Sequence, residues 1–361
     1  MQGSAEGGEL SRRRFIKNTV SITVGTGLLG GHALARDPTA DRIIIGRGAH
    51  RYVVDHDWAT LPAPHRLGYT HGVVADQRGR IYIANQGSEA IMIFDADGHF
   101  VSAWGAEYTE GAHGLNIATE GGEEVLYLAN TGRAEVVKTT LDGTVIWRRG
   151  TPDRPDLYTQ ENTYSPTETA IGPDGTVYVA DGYGQSWIHV YTSEGQYLDS
   201  FGGPGEAPHH LNTPHGINID ERGDQPVLQI ADRSNVRIVN FSLAGDFLEE
   251  IVTGDDLRYP CATVHANGKM YVPDLFARLS IFDENNEKLV DLGDYVDGAE
   301  LTRWEDFGTT FPALDGYPNI PAERRVAGKF ISPHDLWVDS EENIYLVEWI
   351  EDGRITKLIR Q

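Results

Sequence analysis

One sequence motif recurs six times along this chain with variations, and that repeat constrains the fold more than any other feature. Each copy has two short apolar runs, and several copies separate them by a turn such as Asp174-Gly175 or Asn267-Gly268. Such a pattern is typical of a β-hairpin. The first run usually opens with His-Gly or Pro-His, and we call the six positions that correspond to this histidine the slot residues. They are His71, His113, Thr167, His215, Cys261 and His334.

Most copies supply a third and a fourth apolar run, such as Ala90–Phe94 and Phe100–Trp104. Four strands per repeat without an amphipathic helix of useful length are typical of propeller blades. The sequence therefore predicts an all-β fold, a single six-bladed β-propeller over residues 36–361. Slot residues are 42 to 54 positions apart except before the last, where the interval is 73. We assign this excess to an insertion at about 285–329, a loop over one mouth or a lid.

The fullest form of the repeats is Pro-His-Gly-Ile-x-Ile-Asp, followed by a run such as Val-Tyr-Val-Ala-Asp. The repeats resemble those of the NHL family of six-bladed propellers. The resemblance covers nearly the whole chain after residue 36. The segment Arg42–Val54 precedes the first repeat and carries strand-like residues. We expect it to complete the last blade, because ring closure removes exposed sheet edges.

The N-terminus has the layout of a cleavable export signal. Ser11-Arg12-Arg13-Arg14-Phe15-Ile16-Lys17 is followed by a mildly apolar run, Thr19–Gly31, and by Ala33-Leu34-Ala35. The paired arginines in this context resemble a twin-arginine signal. We therefore expect residues 1–35 to be a signal peptide and the protein to be periplasmic or secreted. The apolar run is shorter than the ~20 residues of a spanning helix, so no membrane span is expected in the mature protein.

The formal charge is −24, with 54 acidic and 30 basic residues. Such a surface repels phosphate backbones, so a nucleic-acid partner is not expected. The single cysteine, Cys261, excludes an internal disulfide. Stability must therefore come from the core or from bound ions.

Three slot histidines, His113, His215 and His334, belong to alternate repeats. In a six-bladed ring they would be about 120° apart around the channel axis. Three converging histidines with an open fourth position are the arrangement of a catalytic zinc site. The alternative is that each histidine is a structural hydrogen-bonding residue of its blade.

A second ring is formed by the turns after the second strand of each repeat, and these turns should open at the same mouth as the slots. Tyr183 and Arg233 belong to neighbouring repeats in this ring. A cation and a metal would lower the pKa of the Tyr183 phenol and make it a usable base. Either residue could instead be an ordinary rim residue that binds water.

These repeats also resemble, in the same order, the blades of peptidyl-α-hydroxyglycine α-amidating lyase. The matching segments are His113-Gly114-Leu115, Pro166-Thr167, Asp181-Gly182-Tyr183, Pro214-His215, Ala231-Asp232-Arg233 and Pro333-His334-Asp335. The resemblance implies that His113, His215 and His334 bind zinc, and that Tyr183 is the base on the hydroxyl of a hydroxyglycine-extended peptide. It also implies that Arg233 helps to form the site. It further implies a structural calcium ion held by Asp335 and by the carbonyls of Val73 and Leu115, which are the hard oxygen ligands that calcium prefers.

The chain departs from the family at three positions. Gln86 stands where the family has a second catalytic arginine, and a neutral amide cannot supply that charge. His71 is an additional histidine at the same mouth, and Ser332 replaces an expected methionine. We assign His71 and Gln86 to substrate binding, and we expect an altered small-molecule or peptide substrate.

The leading hypothesis is an exported zinc-dependent enzyme similar to the amidating lyases. It would break a C–N or C–O bond at a hydroxylated carbon. Two alternatives remain open. One is a non-enzymatic NHL propeller that binds a protein or a glycan on one face, and the other is a calcium-dependent lactone hydrolase.

Overall fold

The computed structural model describes residues 42–154, 156–295, 301–304, 309–312 and 316–361. The predicted signal peptide, residues 1–35, lies outside these ranges. Within them, no helix has the length and apolar character needed to cross a membrane. The only helices there are single 3-10 turns, so the described chain is built almost entirely from β-strands.

Twenty-seven strands occur in the described ranges. They are β1 (Ile44–Arg47), β2 (His50–Asp55), β3 (Thr70–Ala75), β4 (Ile81–Asn85), β5 (Ile91–Phe94), β6 (Phe100–Trp104), β7 (Ala112–Glu120), β8 (Glu123–Asn130), β9 (Glu135–Thr140), β10 (Val145–Arg149), β11 (Glu168–Ile171), β12 (Val177–Ala180), β13 (Trp187–Tyr191), β14 (Tyr197–Gly202), β15 (Pro214–Asp220), β16 (Val227–Asp232), β17 (Arg237–Phe241), β18 (Phe247–Thr253), β19 (Val264–Ala266), β20 (Lys269–Asp274), β21 (Arg278–Phe282), β22 (Lys288–Leu292), β23 (Leu301–Trp304), β24 (Thr309–Pro312), β25 (Pro333–Val338), β26 (Ile344–Glu348) and β27 (Arg354–Arg360).

The strands form six blades, which confirms the predicted all-β, six-bladed propeller. Five blades are four-stranded antiparallel sheets whose strands follow the order of the chain, from β3–β6 to β19–β22. The sixth has the order β1-β2-β27-β26-β25. Short hairpin turns join the strands within each blade, as the Asp-Gly and Asn-Gly signals indicate.

The segment before the first repeat closes the ring. β2 pairs antiparallel with β27, with Val53 opposite Ile359, so the sixth blade contains both ends of the described chain. β1 adds a fifth strand outside β2. This confirms the expectation for Arg42–Val54, and the pairing covers the edge that β27 would otherwise expose.

The insertion before the last blade starts later than the sequence suggested. Residues 288–292 form β22, the fourth strand of the fifth blade, so the inserted segment follows Leu292. The polar residues 284–287 that suggested an insertion are the turn between β21 and β22, where Asn286 has a φ of 63°. The inserted segment includes the hairpin β23–β24 and Tyr317, whose hydroxyl donates a hydrogen bond of 2.9 Å to the carbonyl of Leu275.

The core lies between neighbouring blades. A tyrosine at the same position of the second strand is buried in five blades: Tyr82, Tyr127, Tyr178, Tyr271 and Tyr345. Tyr82, for example, packs in one cluster with Leu126 and Leu128 of the next blade. This interlocking holds the blades at fixed angles, and it therefore fixes the relative positions of the inner strands.

Candidate metal centre at one mouth of the channel

The four slot histidines share one local backbone feature. Each is the second residue of an inner strand, at a shift in the register with the second strand. These shifts lie between Thr70 and Gly72, Ala112 and Leu115, Pro214 and Gly216, and Pro333 and Asp335. A β-bulge turns a side chain away from the regular alternation of a strand. The bulges therefore direct all four imidazoles to the same mouth.

His113, His215 and His334 converge as the sequence predicted. Their ring centroids are 4.8 Å apart for His113 and His215, 4.8 Å for His113 and His334, and 4.7 Å for His215 and His334. All three side chains are buried. The near-equal separations describe a triangle around the channel axis, which is a cluster compatible with a metal site.

Each of these histidines is oriented by the next blade. The Nδ1–H groups of His113 and His215 donate hydrogen bonds of 2.7 Å to the carbonyls of Thr167 and Cys261. His334 Nδ1–H donates 2.8 Å to the carbonyl of His71. A carbonyl can only accept, so the proton lies on Nδ1 and the lone pair on Nε2. Fixing the ligand tautomer through the other ring nitrogen is typical of metal-binding histidines.

The glycines that follow two of the histidines allow this close approach. A Cβ on Gly114 would be 2.4 Å from the carbonyl oxygen of Thr167, and one on Gly216 would be 2.3 Å from that of Cys261. Both oxygens are the acceptors of the histidine hydrogen bonds. Glycine after the histidine therefore allows the imidazole to reach the backbone carbonyl of the neighbouring blade.

Burial lowers the pKa of all three imidazoles. The pKa of His113 falls to about 3, and those of His215 and His334 fall well below the ordinary value of 6.5. The positive charge of Arg233 lowers them further. Neutral imidazoles keep the Nε2 lone pairs that a metal ion needs, so the donor set fits zinc.

Tyr183 and Arg233 meet at the same mouth. The Tyr183 hydroxyl lies 3.0 Å from His215 Nε2 and 3.3 Å from His113 Nε2. The guanidinium carbon of buried Arg233 lies 5.1 Å from the ring centre of Tyr183 and 4.8 Å from that of Tyr259. The cation is thus held between two aromatic rings, a favourable arrangement for a desolvated guanidinium.

Burial opposes the lowering of the Tyr183 pKa that a cation and a metal together are expected to cause, and that lowering stays a prediction. Removal of the hydroxyl from water raises the pKa, and the charge of Arg233 only offsets part of that rise. The ring itself is 44% exposed, but its hydroxyl points inward to the histidines. Burial therefore favours the protonated phenol, which can donate to one Nε2 at a time.

The remaining predicted site residues lie around this cluster. His71 Nδ1 is 3.3 Å from His334 Nε2. The Gln86 amide donates 3.4 Å to the carbonyl of Ala112, the residue before His113. Cys261, which the sequence did not assign to the site, has its thiol within 4.8 Å of nitrogens of His215 and His334. The roles of His71 and Gln86 in substrate binding remain predictions.

Asp335 lies next to the first blade, where its Oδ2 accepts a hydrogen bond of 3.0 Å from Val73 N–H. Burial raises the pKa of Asp335 to about 7. Calcium binding by Asp335 and by the carbonyls of Val73 and Leu115 stays a prediction.

The sequence reasoning missed Glu168, which follows slot residue Thr167 as Asp335 follows His334. Burial and the charge of Asp335 raise the Glu168 pKa well above its ordinary value.

Comparisons with known proteins agree with the fold. A family described as 6-bladed beta-propeller matches residues 171–293. NHL repeat-containing protein 3 of Homo sapiens is 27% identical over 201 residues, which are 53% of this chain and 56% of the human protein. Peptidyl-alpha-hydroxyglycine alpha-amidating lyase 2 of Drosophila melanogaster is 29% identical over 151 residues, 41% of this chain and 36% of the fly protein.

The chain thus spans little more than half of the human relative and about a third of the fly relative. A solved streptogramin B lyase structure superposes with a TM-score of 0.57 at 14% identity, covering 86% of this chain and 98% of the lyase. At that identity the likeness concerns the fold alone. The protein is a six-bladed β-propeller with NHL-repeat relatives and a weaker similarity to amidating lyases.

Proposed function

We propose that this protein is a metal-dependent lyase that breaks a C–N or C–O bond at a hydroxylated carbon of a small molecule or peptide. One observation carries the proposal. The Tyr183 hydroxyl lies at 3.0 and 3.3 Å from Nε2 of His215 and His113, two of three histidines whose Nδ1 atoms are all held by backbone carbonyls. An acid–base group and a set of neutral metal ligands thus meet at one point.

His113, His215 and His334 would hold zinc, which when bound acts as a Lewis acid on a substrate oxygen. Arg233 favours the ionised form of Tyr183 over the neutral phenol, and burial opposes it. Zinc on the histidines would also occupy the Nε2 lone pairs of His215 and His113, which lie within hydrogen-bond distance of the Tyr183 hydroxyl. The phenol would then be available to the substrate.

The reaction needs no redox partner. Tyr183 first loses its phenol proton to solvent and then, as phenolate, takes the proton of the substrate hydroxyl, and the electron pair of that O–H bond forms a carbonyl. The bond from the same carbon to nitrogen or oxygen breaks, and the leaving atom keeps the electron pair. Tyr183 then returns the proton to the leaving group. The products are a carbonyl compound and an amide or alcohol.

Gln86 separates this site from that of a strict amidating lyase. Its amide donates a hydrogen bond to the backbone carbonyl of Ala112 and carries no charge to pair with a substrate carboxylate. A missing charge-assisted contact of this kind costs roughly 100-fold or more in rate. We therefore propose a substrate other than a peptide that ends in α-hydroxyglycine, with weak or no turnover of that peptide.

The proposal includes export by the twin-arginine route, with residues 1–35 as signal and residues 36–361 as one propeller domain. The motif around Arg12 and Arg13 supports it.

Metal analysis of the purified protein, followed by assay against a panel of N-(α-hydroxyalkyl) amides and hemiacetals, tests the function. We expect one zinc per chain and turnover that is lost when zinc is removed. Zinc with no turnover of any panel member would overturn the lyase assignment. Calcium alone would favour the lactone hydrolase, and a chain that binds no metal would favour a module that binds protein or glycan.

A further inference from the structure

His71 is the fourth histidine of the mouth, and the three-histidine site leaves it without a metal-binding role. Its ring centroid lies 4.4 Å from that of His113 and 4.6 Å from that of His334. These separations are as short as those within the proposed zinc triad. The side chain is only 4% exposed, so His71 is as deeply buried as the three ligands.

The two ring nitrogens of His71 have few hydrogen-bond partners. Nδ1 lies 3.3 Å from Nε2 of His334, which is itself a metal-ligand candidate. Nε2 is buried and has no hydrogen-bond partner among the described residues. A buried polar atom without a partner is unfavourable, so hydrogen bonds alone do not account for the burial of His71 in this cluster.

His71 also differs from the triad in how it is held. The Nδ1 atoms of His113, His215 and His334 all donate to backbone carbonyls. Nδ1 of His71 instead faces the lone pair of His334. The backbone carbonyl of His71 accepts a hydrogen bond from His334 Nδ1–H. Both ring nitrogens of His334 therefore contact His71, one through its backbone and one through its side chain.

The distance between these two nitrogens suits a shared metal. Two ligands at about 2.0–2.1 Å from a tetrahedral zinc ion are roughly 3.3–3.4 Å apart. His71 Nδ1 and His334 Nε2 are 3.3 Å apart. In addition, His71, His113 and His334 each offer a nitrogen within 4.8 Å of the others.

We propose that His71 is a fourth protein ligand of the same metal, through Nδ1, so that the resting centre has four imidazoles instead of three. This inference rests on the proposed function and adds a ligand to it. With zinc, a substrate oxygen would have to enter as a fifth ligand or displace an imidazole, since four ligands close a tetrahedral site. The extra histidine would thus restrict which hydroxylated compounds reach the metal.

The number of imidazole ligands is measurable without any assay of activity. X-ray absorption of the zinc-loaded and the cobalt-loaded full chain would count them in the wild type, in His71→Ala and in His71→Gln. The glutamine variant keeps an N–H group that can donate to His334 but is a poor zinc ligand. The exposed His209→Ala is the matched control.

We expect four imidazoles in the wild type and in His209→Ala, and three in both His71 variants. Zinc affinity in both His71 variants should fall by at least the ~10–100-fold that loss of an outer hydrogen-bond partner costs. Three imidazoles in the wild type would overturn the inference and leave the triad intact. Full affinity in His71→Gln would also overturn it, because it would show a hydrogen-bonding role alone. A wild type that binds neither metal would overturn the proposed function as well.

Discussion

The imidazole of His215 and the backbone carbonyl of Cys261 belong to neighbouring blades and are joined by a hydrogen bond of 2.7 Å. The two blades can approach this closely because the residue after His215 is glycine. The orientation of a candidate metal ligand is therefore set by packing between blades, and a change that separates the blades should change metal binding.

We predict that Gly216→Ala weakens zinc binding. The new Cβ would lie 2.3 Å from the carbonyl oxygen of Cys261, so the fifth blade must shift and the His215 hydrogen bond lengthens. The loss of such an orienting contact costs about 10–100-fold in metal affinity. Overpacking should also lower the free energy of unfolding by about 1–3 kcal/mol.

Chelator competition and denaturant unfolding would measure these two effects. Gly223→Ala is the matched control, because the nearest atom to its Cβ would be 3.9 Å away. Zinc affinity that is equal in the two variants would contradict the docking role of Gly216.

Tyr183→Phe should abolish most of the turnover without loss of zinc. The hydroxyl that lies 3.0 Å from His215 Nε2 is removed, but none of the histidine ligands is changed. General acid–base groups typically contribute ~10²–10⁴-fold to rate. Steady-state kinetics and metal analysis check both parts. Tyr69→Phe serves as control, since Tyr69 contacts Asn319 and Trp349 and no slot histidine in the described contacts. A rate unchanged in Tyr183→Phe would remove the tyrosine from the mechanism.

Gln86→Arg should raise turnover of a peptide ending in α-hydroxyglycine, because a cation would then stand beside the candidate site. Recovery of a charge-assisted contact corresponds to roughly 100-fold in kcat/KM. Gln77→Arg adds the same charge at the turn between β3 and β4, at the other end of the strand that carries His71, and should have no effect. Robust turnover by the wild type would mean that the role of Gln86 is overestimated.

His56 should make the fold sensitive to acid. Its Nδ1 contacts the Thr356 hydroxyl at 2.9 Å, and its Nε2 accepts a hydrogen bond of 3.0 Å from Gly328 N–H. Burial and then the charge of Arg354 lower the pKa of His56 from 6.5 to about 4, although Glu348, Asp57 and Asp55 oppose them. The neutral form is favoured by the fold, so between these values the unfolded chain binds more protons.

The free energy of unfolding should therefore fall as the pH is lowered from about 6.5 to about 4. In His56→Gln the slope of that fall should be shallower by up to one proton, as measured by urea unfolding at several pH values. The exposed His209→Gln should leave the slope unchanged. An identical slope in all three proteins would argue against a neutral, buried His56.

Replacement of Arg12 and Arg13 by lysine should keep the precursor in the cytoplasm, because twin-arginine recognition requires the arginine pair. Cell fractionation measures the distribution of the chain. Replacement of Arg42 and Arg47 by lysine, which conserves charge outside the motif, should leave export unchanged. Normal export of the Arg12 and Arg13 variant would refute the twin-arginine assignment.

The repeat alone determined much of this protein. Short apolar runs separated by Asp-Gly and Asn-Gly turns restrict the chain to hairpins, and six copies, most of them with four runs, predict the ring and its closure by the segment before the first repeat. The slot positions of His113, His215 and His334 in alternate repeats were enough to predict their convergence, because the symmetry of a propeller converts spacing along the chain into angle around an axis.

Contacts between blades were decided only by the tertiary structure. The sequence contains His215, Gly216 and Cys261, but not the bulge that turns the imidazole inward or the carbonyl that fixes its proton on Nδ1. It also could not give the desolvation that raises the Tyr183 pKa, nor the position of His71 against His334 and of Glu168 near Asp335. The hydrogen bonds among these features join residues at least 32 positions apart along the chain, and the charge of Asp335 acts on Glu168 across a long stretch of sequence. The distances and burial that control proton position and metal affinity arise only when the blades pack together.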